Sequence, residues 1–449
     1  MEGTITRSGI LRYFFNTSWL LVEQLLRLGS GIFVGAYVAR YLGPGQFGFL
    51  SYVLAIVSVL SVFAKLGIDN IAVRNLVSHR AEESAYLGSM FWMKCLAGIF
   101  CLSVVLLVLP FCSEQCHVTS SVAILSVGLI FQAFEVMDFY FQSIVQARYV
   151  VVCKVVQIII SSGIKITLIL IGAKLDWFVY VTLVDQVTLG IAYWIMARHV
   201  GKTRLFGSGS VRMALSMLRQ SWPLAISGLG IVAYMRLDQI MLQSMLGDAA
   251  VGQYSAALRL SEATYVIPTI ICSSLYPALI KSKSENPAVY KIRTALLFEV
   301  LVLIAYGLAI PSIFFSGFVL HLLFGSSYSS SGRILSVHIW TSVFVFLGVA
   351  GGRWMVAAGI YRLTMYRVFT GVACNALLNL MLIPRLGILG AAIASLISQA
   401  LTSVAMNAIH QSTRECFYLQ LRAIFMPGYE LVRTFRNAGR GGSSSLMNR

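Results

Sequence analysis

Runs of about 20 apolar residues recur from one end of this chain to the other, each long enough to cross a hydrocarbon core of ~30 Å. A segment in lipid must satisfy its own backbone N–H and C=O groups, so each run reads as a helix. Composition agrees: 58% of the 449 residues are hydrophobic and 11% are charged, with a mean hydropathy of +0.81. That is too apolar for a soluble protein of this length. The expected fold class is an all-α polytopic membrane protein of about twelve transmembrane helices, near 14–38, 48–65, 86–110, 118–144, 150–172, 176–197, 222–246, 252–280, 294–315, 334–358, 364–384 and 389–410. The first run holds Glu23 and Arg27 and lacks a small-residue cleavage site, so it is read as a span and not as a leader.

The formal charge of +17 is informative through its placement. Arg7 and Arg12, the Arg198–Arg219 loop, Lys281 to Arg293 and Arg414 to Arg449 fall on one side of the scheme. The opposite loops hold Arg40, Lys174, Arg333 and Arg385. The positive-inside rule then puts both termini in the cytoplasm. Basic residues spread over short juxtamembrane loops set insertion orientation, and nucleic acid is not expected as a partner. Most of the eight cysteines read as small apolar filler. Cys112 and Cys116 share one outward loop, where a local disulfide is an open alternative; metal binding with His117 lacks a fourth ligand.

Two halves look alike. Trp19 leads to LeuGly at 42–43, then Gly48 and Ser51; Trp222 leads to LeuGly at 246–247, then Gly252 and Ser255. LeuIleGlyAlaLysLeu (170–175) echoes LeuIleProArgLeuGly (382–387). This gives a six-helix lobe over 1–200, a linker over 201–221, a second six-helix lobe over 222–411, and a basic cytoplasmic tail over 412–449, partly disordered. Both halves start from the same side, so the repeat is parallel, with a central cavity between the lobes.

Charges inside spans mark the candidate site, since each centrally placed Arg, Lys or Asp costs roughly 2.5–3.5 kcal/mol on insertion scales. Glu23 and Arg27 lie at i, i+4 and can pair. Arg236 and Asp238 are two apart and do not share a face; Arg259 and Glu262 are three apart and do. Arg353 sits beside Gly351 and Gly352. Glu135 and Asp138 suggest a proton or cation site, or equally partners for Arg148 or Lys154. Lys94 is expected to snorkel to the interface, and Pro268 to kink its helix.

ArgTyrLeuGlyPro..PheGly (40–48), ArgLeuAspGlnIleMetLeu (236–242), GlyAspAlaAlaValGlyGlnTyrSerAlaAlaLeuArgLeuSerGlu (247–262), LeuTyrPro (275–277), AsnAlaLeuLeuAsnLeuMetLeuIlePro (375–384) and GlyIleLeuGlyAlaAlaIleAla (387–394) together resemble the polysaccharide-biosynthesis exporters. These are the O-antigen (Wzx-type) flippases of the multidrug/oligosaccharidyl-lipid/polysaccharide superfamily. The resemblance covers nearly all of the chain to about 410; Gly45 departs from it where an acid is expected. It implies a V-shaped cavity, residence in a bacterial inner membrane, alternating access, and a short glycan on undecaprenyl pyrophosphate as substrate. Partners expected with it are membrane lipids, a glycan polymerase and a chain-length regulator. Arg27, Arg236, Arg259 and Arg353 are the expected substrate-binding residues, because guanidinium groups offer bidentate contacts to phosphate. Glu23, Asp238, Glu262, Glu135 and Asp138 would balance charge or bind H⁺ or Na⁺ as a coupling ion; no cofactor or metal is expected. A drug/cation antiporter of the same superfamily would want acids to dominate its cavity. A membrane enzyme joining lipid-linked glycans would want reactive groups on a large outward loop, and the 316–333 segment offers only His321 and Arg333.

Overall fold

A computed structural model of the chain describes residues 7–112, 116–200, 209–358, 360 and 362–433. Every regular element among them is helical. In chain order these are α1 (Arg7–Lys65), α2 (Asp69–Ser78), α3 (Glu83–Cys112), α4 (Cys116–Phe131), α5 (Val136–Ser143), α6 (Ala147–Leu170), α7 (Leu175–His199), α8 (Val211–Leu246), α9 (Asp248–Ala263), α10 (Val266–Glu285), α11 (Pro287–Phe324), α12 (Ser331–His338), α13 (Thr341–Ala358), α14 (Arg362–Leu386), α15 (Ile388–Ser403) and α16 (Arg414–Phe425).

Ten helical stretches among the described residues are long and apolar enough to span a bilayer. Their apolar windows are only partly covered by protein, as little as 17% in Val211–Leu246. Phe33, Leu107, Leu170, Phe314 and Phe318 accordingly stand exposed, which only a lipid surround makes favourable. The protein is therefore a multi-pass membrane protein. The first stretch, Ser18–Lys65, bends at Gly43 into two arms, each long enough to cross. The tandem α9–α10 falls outside the ten, α9 bearing Arg259 and Glu262. With that tandem counted as a crossing, about twelve follow, as expected.

The bends recur where the sequence repeats. Gly43 has φ 72°, ψ 171° and Gly247 has φ 81°, ψ −178°, a region essentially confined to glycine. Pro44 follows Gly43 at the first position of the next arm, where its missing N–H costs nothing. The LeuGly pair is thus a helix–helix joint used once in each half. Gly172 and Gly387, in the second pair of echoing motifs, also take positive φ.

Contacts divide the chain into two compact units, Met1–Gln243 and Ser244–Arg449. The division falls near the end of α8, so 222–243 groups with the first unit, whereas the sequence reading starts the second lobe at 222. Local packing explains the grouping: a Cβ on Gly67 would come within 2.5 Å of the Ala225 amide nitrogen on α8. The core of the first unit includes Ile68, Leu76, Met90, Val136, Phe141, Val150, Tyr193 and Met217. That of the second includes Phe298, Leu301, Val302, Phe346, Leu347, Met355 and Cys416.

Two local expectations are corrected, and a third is refined. Pro268 does not kink a continuous helix: the chain breaks at Thr264–Tyr265, and Pro268 sits in the first turn of α10, where backbone N–H groups lack intrahelical acceptors anyway. The 316–333 segment is not one loop, because α11 runs to Phe324 and α12 starts at Ser331. The start of the tail is also folded. In α16, Cys416, Leu419, Gln420 and Ala423 are buried; Gln420 Nε2 donates to Leu347 O at 3.1 Å and Tyr306 Oη to Ile424 O at 2.9 Å. The Glu299 carboxylate accepts the backbone N–H of Glu430 at 3.0 Å and that of Leu431 at 3.2 Å. Residues 434–449 lie outside the described residues, as do the side chains of Cys112 and Cys116.

Candidate functional site

The first unit encloses a cavity of about 730 Å³ lined by Glu23 and Arg27 from α1, Asp69 and Arg74 from α2, Asp138 from α5 and Lys154 from α6, with Lys65, Glu135, Gln142, Gln157 and Tyr193 completing its polar wall. It lies beside the short 66–68 and 144–146 connections, whose neighbours Lys65, Asp69 and Gln142 are in its lining. Those turns carry Leu66 (φ 56°) and Val145 (φ 57°). Positive φ is uncommon for any side chain bearing a Cβ and an outlier for a β-branched one, so both joints beside the cavity are held under backbone strain.

Four ion pairs, made by three cations, organise the lining. Arg27 Nε lies 3.3 Å from Glu23 Oε1; the Arg27 side chain is 60% exposed and that of Glu23 only 4%. The pair engages the Nε edge of the guanidinium, so the exposed Nη hydrogens can still meet a ligand. Lys154 Nζ donates to Asp138 Oδ2 at 2.8 Å, Gln142 Nε2 to Oδ1 at 2.7 Å, and the buried Tyr193 hydroxyl to Oδ2 at 3.4 Å. Lys94, wholly buried behind the wall, reaches Glu135 Oε2 at 3.1 Å and Asp69 Oδ1 at 3.6 Å and stands 4.8 Å from the Phe139 ring centre. Lys65 and Arg74 have no carboxylate within 4 Å among the described residues; Arg74 Nη2 donates to the neutral Gln220 Oε1 at 2.8 Å.

The arrangement gives both acids of the 135–138 pair a cationic neighbour. Asp138 pairs with Lys154, not Arg148, which turns to the Tyr149 hydroxyl. Glu135 pairs with Lys94, which does not snorkel: it lies inside the fold because two acids reach it there. Of the residues singled out from sequence, the cavity gathers Glu23, Arg27, Glu135 and Asp138. Arg236 and Asp238 are on α8 and do not line it; Asp238 is buried. Arg259 and Glu262 belong to α9 in the second unit, and both have interaction partners, as do Arg236 and Asp238. Arg353 is exposed on α13 and stacks over Tyr276 at 5.4 Å. Sequence reasoning missed Lys65, Asp69 and Arg74, which read as loop charges, and Gln142, Gln157 and Tyr193. Lys94 carried the one available signal, a lysine in an apolar run that also places Glu135 and Asp138 on a neighbouring helix. In the second unit a cavity of about 260 Å³ lies between α10, α11, α13 and α16.

A profile of the polysaccharide biosynthesis protein family matches residues 14–283, a range that takes in the whole lining of this cavity. The chain belongs to that family. Among curated relatives it is similar to the probable flippase AglR of Haloferax volcanii, with 31% identity over 266 residues, 57% of this chain and 54% of that protein. It is also similar to the capsular polysaccharide biosynthesis protein CapF of Staphylococcus aureus, with 25% identity over 164 residues, 36% and 41% of the two chains. The chain spans about half the length of the curated relatives it matches. Among solved structures, the lipid II flippase MurJ in an inward closed conformation aligns with a TM-score of 0.70 at 11% identity, over 92% and 91% of the two chains. An inward-facing multidrug-resistance MATE transporter aligns at 0.64 and 15% identity, over 89% and 94%. At these identities the likeness is one of fold, and the fold is the helical one shared by MATE transporters and MurJ.

Proposed function

We propose that this member of the family is a flippase, not an enzyme, that carries a lipid-linked oligosaccharide from one leaflet to the other by alternating access. The observation that carries the reading is the charge state of the cavity. Each pairing acid is already met by a cation of the protein, Glu23 by Arg27, Glu135 and Asp69 by Lys94, and Asp138 by Lys154. Arg27 remains largely exposed, and Lys65 and Arg74 have no carboxylate within 4 Å among the described residues; with Lys94 the cations number five to four acids, and that excess of one favours an anion. A pyrophosphate headgroup with attached sugars cannot enter hydrocarbon without losing hydration. An arginine-bearing basin replaces that water with charge-assisted hydrogen bonds, while the polyprenyl tail stays in lipid. A drug/cation antiporter would need carboxylates in excess here, whereas the cations, Lys94 included, outnumber them.

In its narrower form the substrate is an O-antigen-like repeat unit on undecaprenyl pyrophosphate, moved from the cytoplasmic to the periplasmic leaflet of a bacterial inner membrane. The basic 198–219 and 281–293 connections support cytoplasmic termini. Arg27 is the primary phosphate contact; Arg236, Arg259 and Arg353 are further proposed contacts. Glu23, Glu135 and Asp138 balance charge. Asp238 and Glu262 are proposed for H⁺ or Na⁺ coupling, and transport by an Asp238→Asn variant then loses its dependence on the ion gradient. The test is the purified chain in proteoliposomes, offered either a polyprenyl-pyrophosphate-linked oligosaccharide or a lipophilic cation. Translocation of the glycan-lipid alone supports the reading; translocation of the cation alone overturns it.

A further inference from the structure

The cavity of about 260 Å³ in the second unit has a chemistry of its own. It is lined by Lys283 at the end of α10, Pro287, Tyr290 and Lys291 in the first turns of α11, Trp354 and Ala358 at the end of α13, and Glu415 and Leu419 on α16. Pro287 and Ala358 are terminal residues of two stretches long and apolar enough to span a bilayer, which puts the pocket at the ends of those helices, towards the water. Trp and Tyr favour that depth, having an apolar body and a polar edge.

We propose that this pocket holds the phosphate of an anionic membrane phospholipid, with α16 lying in the headgroup layer beside it. Lys283 is half-buried, its Nζ donating to Ala357 O and standing 6.0 Å from the Tyr290 ring centre; it supplies a fixed cation at the back. Lys291 supplies a movable one: its Nζ is 3.1 Å from Glu415 Oε1, and both side chains are at least half exposed. Such a surface pair contributes little and yields readily to a phosphate. The amino-terminal end of α11 adds a positive dipole end on the same side. The chemistry of α16 argues for lipid as the source of the phosphate. One face packs on the unit, yet Tyr418, Phe425 and, just beyond, Met426 and Tyr429 are exposed among Arg414, Arg422 and Arg433. Apolar and aromatic side chains interleaved with arginines fit the acyl–headgroup boundary of an anionic leaflet.

This site is independent of the transport reading. Its test is native mass spectrometry of the full chain in non-ionic detergent, titrated with phosphatidylglycerol, phosphatidylcholine or inorganic phosphate. The proposal expects phosphatidylglycerol to be retained in preference to phosphatidylcholine. Affinity should fall about fivefold for each lysine removed in Lys283→Met and Lys291→Ala, and tighten in Glu415→Gln, which removes the competing carboxylate. Equal retention of the two lipids, or affinity unchanged across these variants, overturns it. Displacement of the lipid by millimolar inorganic phosphate also overturns it, since the ligand would then be free phosphate. Should the double lysine variant fail to fold, Glu415→Gln decides alone: tightening supports the site and no change refutes it.

Discussion

Lys94 is the residue whose surroundings make the sharpest demand. Its side chain is fully buried, while its partners Glu135 and Asp69 are 26% and 48% exposed on the cavity wall. Removing the lysine should therefore be mild, because both acids can hydrate from the cavity; Lys94→Met should cost about 1 kcal/mol, as for partly exposed pairs. Removing the acids is different. In Asp69→Asn with Glu135→Gln the ammonium is left in a dry shell beside Phe139, and breaking a buried pair from one side costs about 3–5 kcal/mol. Adding Lys94→Met to that double variant removes the stranded charge and should restore most of the loss, since an apolar replacement of a whole buried set is often near neutral. Thermal unfolding of the four proteins in one detergent, followed by tryptophan fluorescence, reads the cycle. The order expected is wild type, Lys94→Met, triple variant, then the double variant well below. A double variant as stable as wild type, or a triple variant no better than the double, would refute the argument that Lys94 is held in place by charge.

Other consequences are simpler to check. Val145→Gly should raise the unfolding temperature, since relieving a left-handed β-branched residue recovers roughly 1 kcal/mol or more; a lower temperature would show that the Val145 side chain matters more than its backbone. Burial pushes the Cys416 thiol up to about 12, despite Arg367 nearby drawing it down. It should therefore resist maleimide at pH 8 in the folded protein and react on unfolding. Because its folded pKa lies above the unfolded one, its contribution to stability is complete below pH 9 and is lost as pH rises from there towards 12. Rapid labelling of the native protein would mean that α16 undocks. Arg259→Ala should abolish glycan export while leaving the amount of folded protein in the membrane unchanged; export at the wild-type rate would remove Arg259 from the proposed contacts.

The fold was legible because bilayer thickness and backbone satisfaction act on composition, which a sequence displays. The LeuGly repeat was legible for a related reason: only glycine tolerates the conformation shared by Gly43 and Gly247. The Glu23–Arg27 pair could be read because it is local to one helix. What failed was long-range. Nothing in the sequence states that Lys94 meets acids 25 positions before it and 41 after it, and the prior for a lysine near a helix end is to snorkel. The docked α16 was hidden in a tail of average polarity, since its burial depends on Glu299 and Gln420 finding backbone partners far away in the chain. Lys65, Asp69 and Arg74 looked like solvated loop charges because a turn's position relative to a cavity is a tertiary property.

The central claim is that the exposed guanidinium in the first-unit cavity receives the phosphates of a glycan-bearing lipid. The direct measurement is leaflet-resolved translocation of a polyprenyl-pyrophosphate oligosaccharide in proteoliposomes holding equal amounts of folded wild type, Arg27→Lys or Arg27→Ala. A lost charge-assisted contact of about 1.5–3 kcal/mol predicts a rate roughly ten- to a hundredfold lower for Arg27→Ala, with Arg27→Lys in between. Arg27→Ala moving the lipid as fast as wild type would contradict the account.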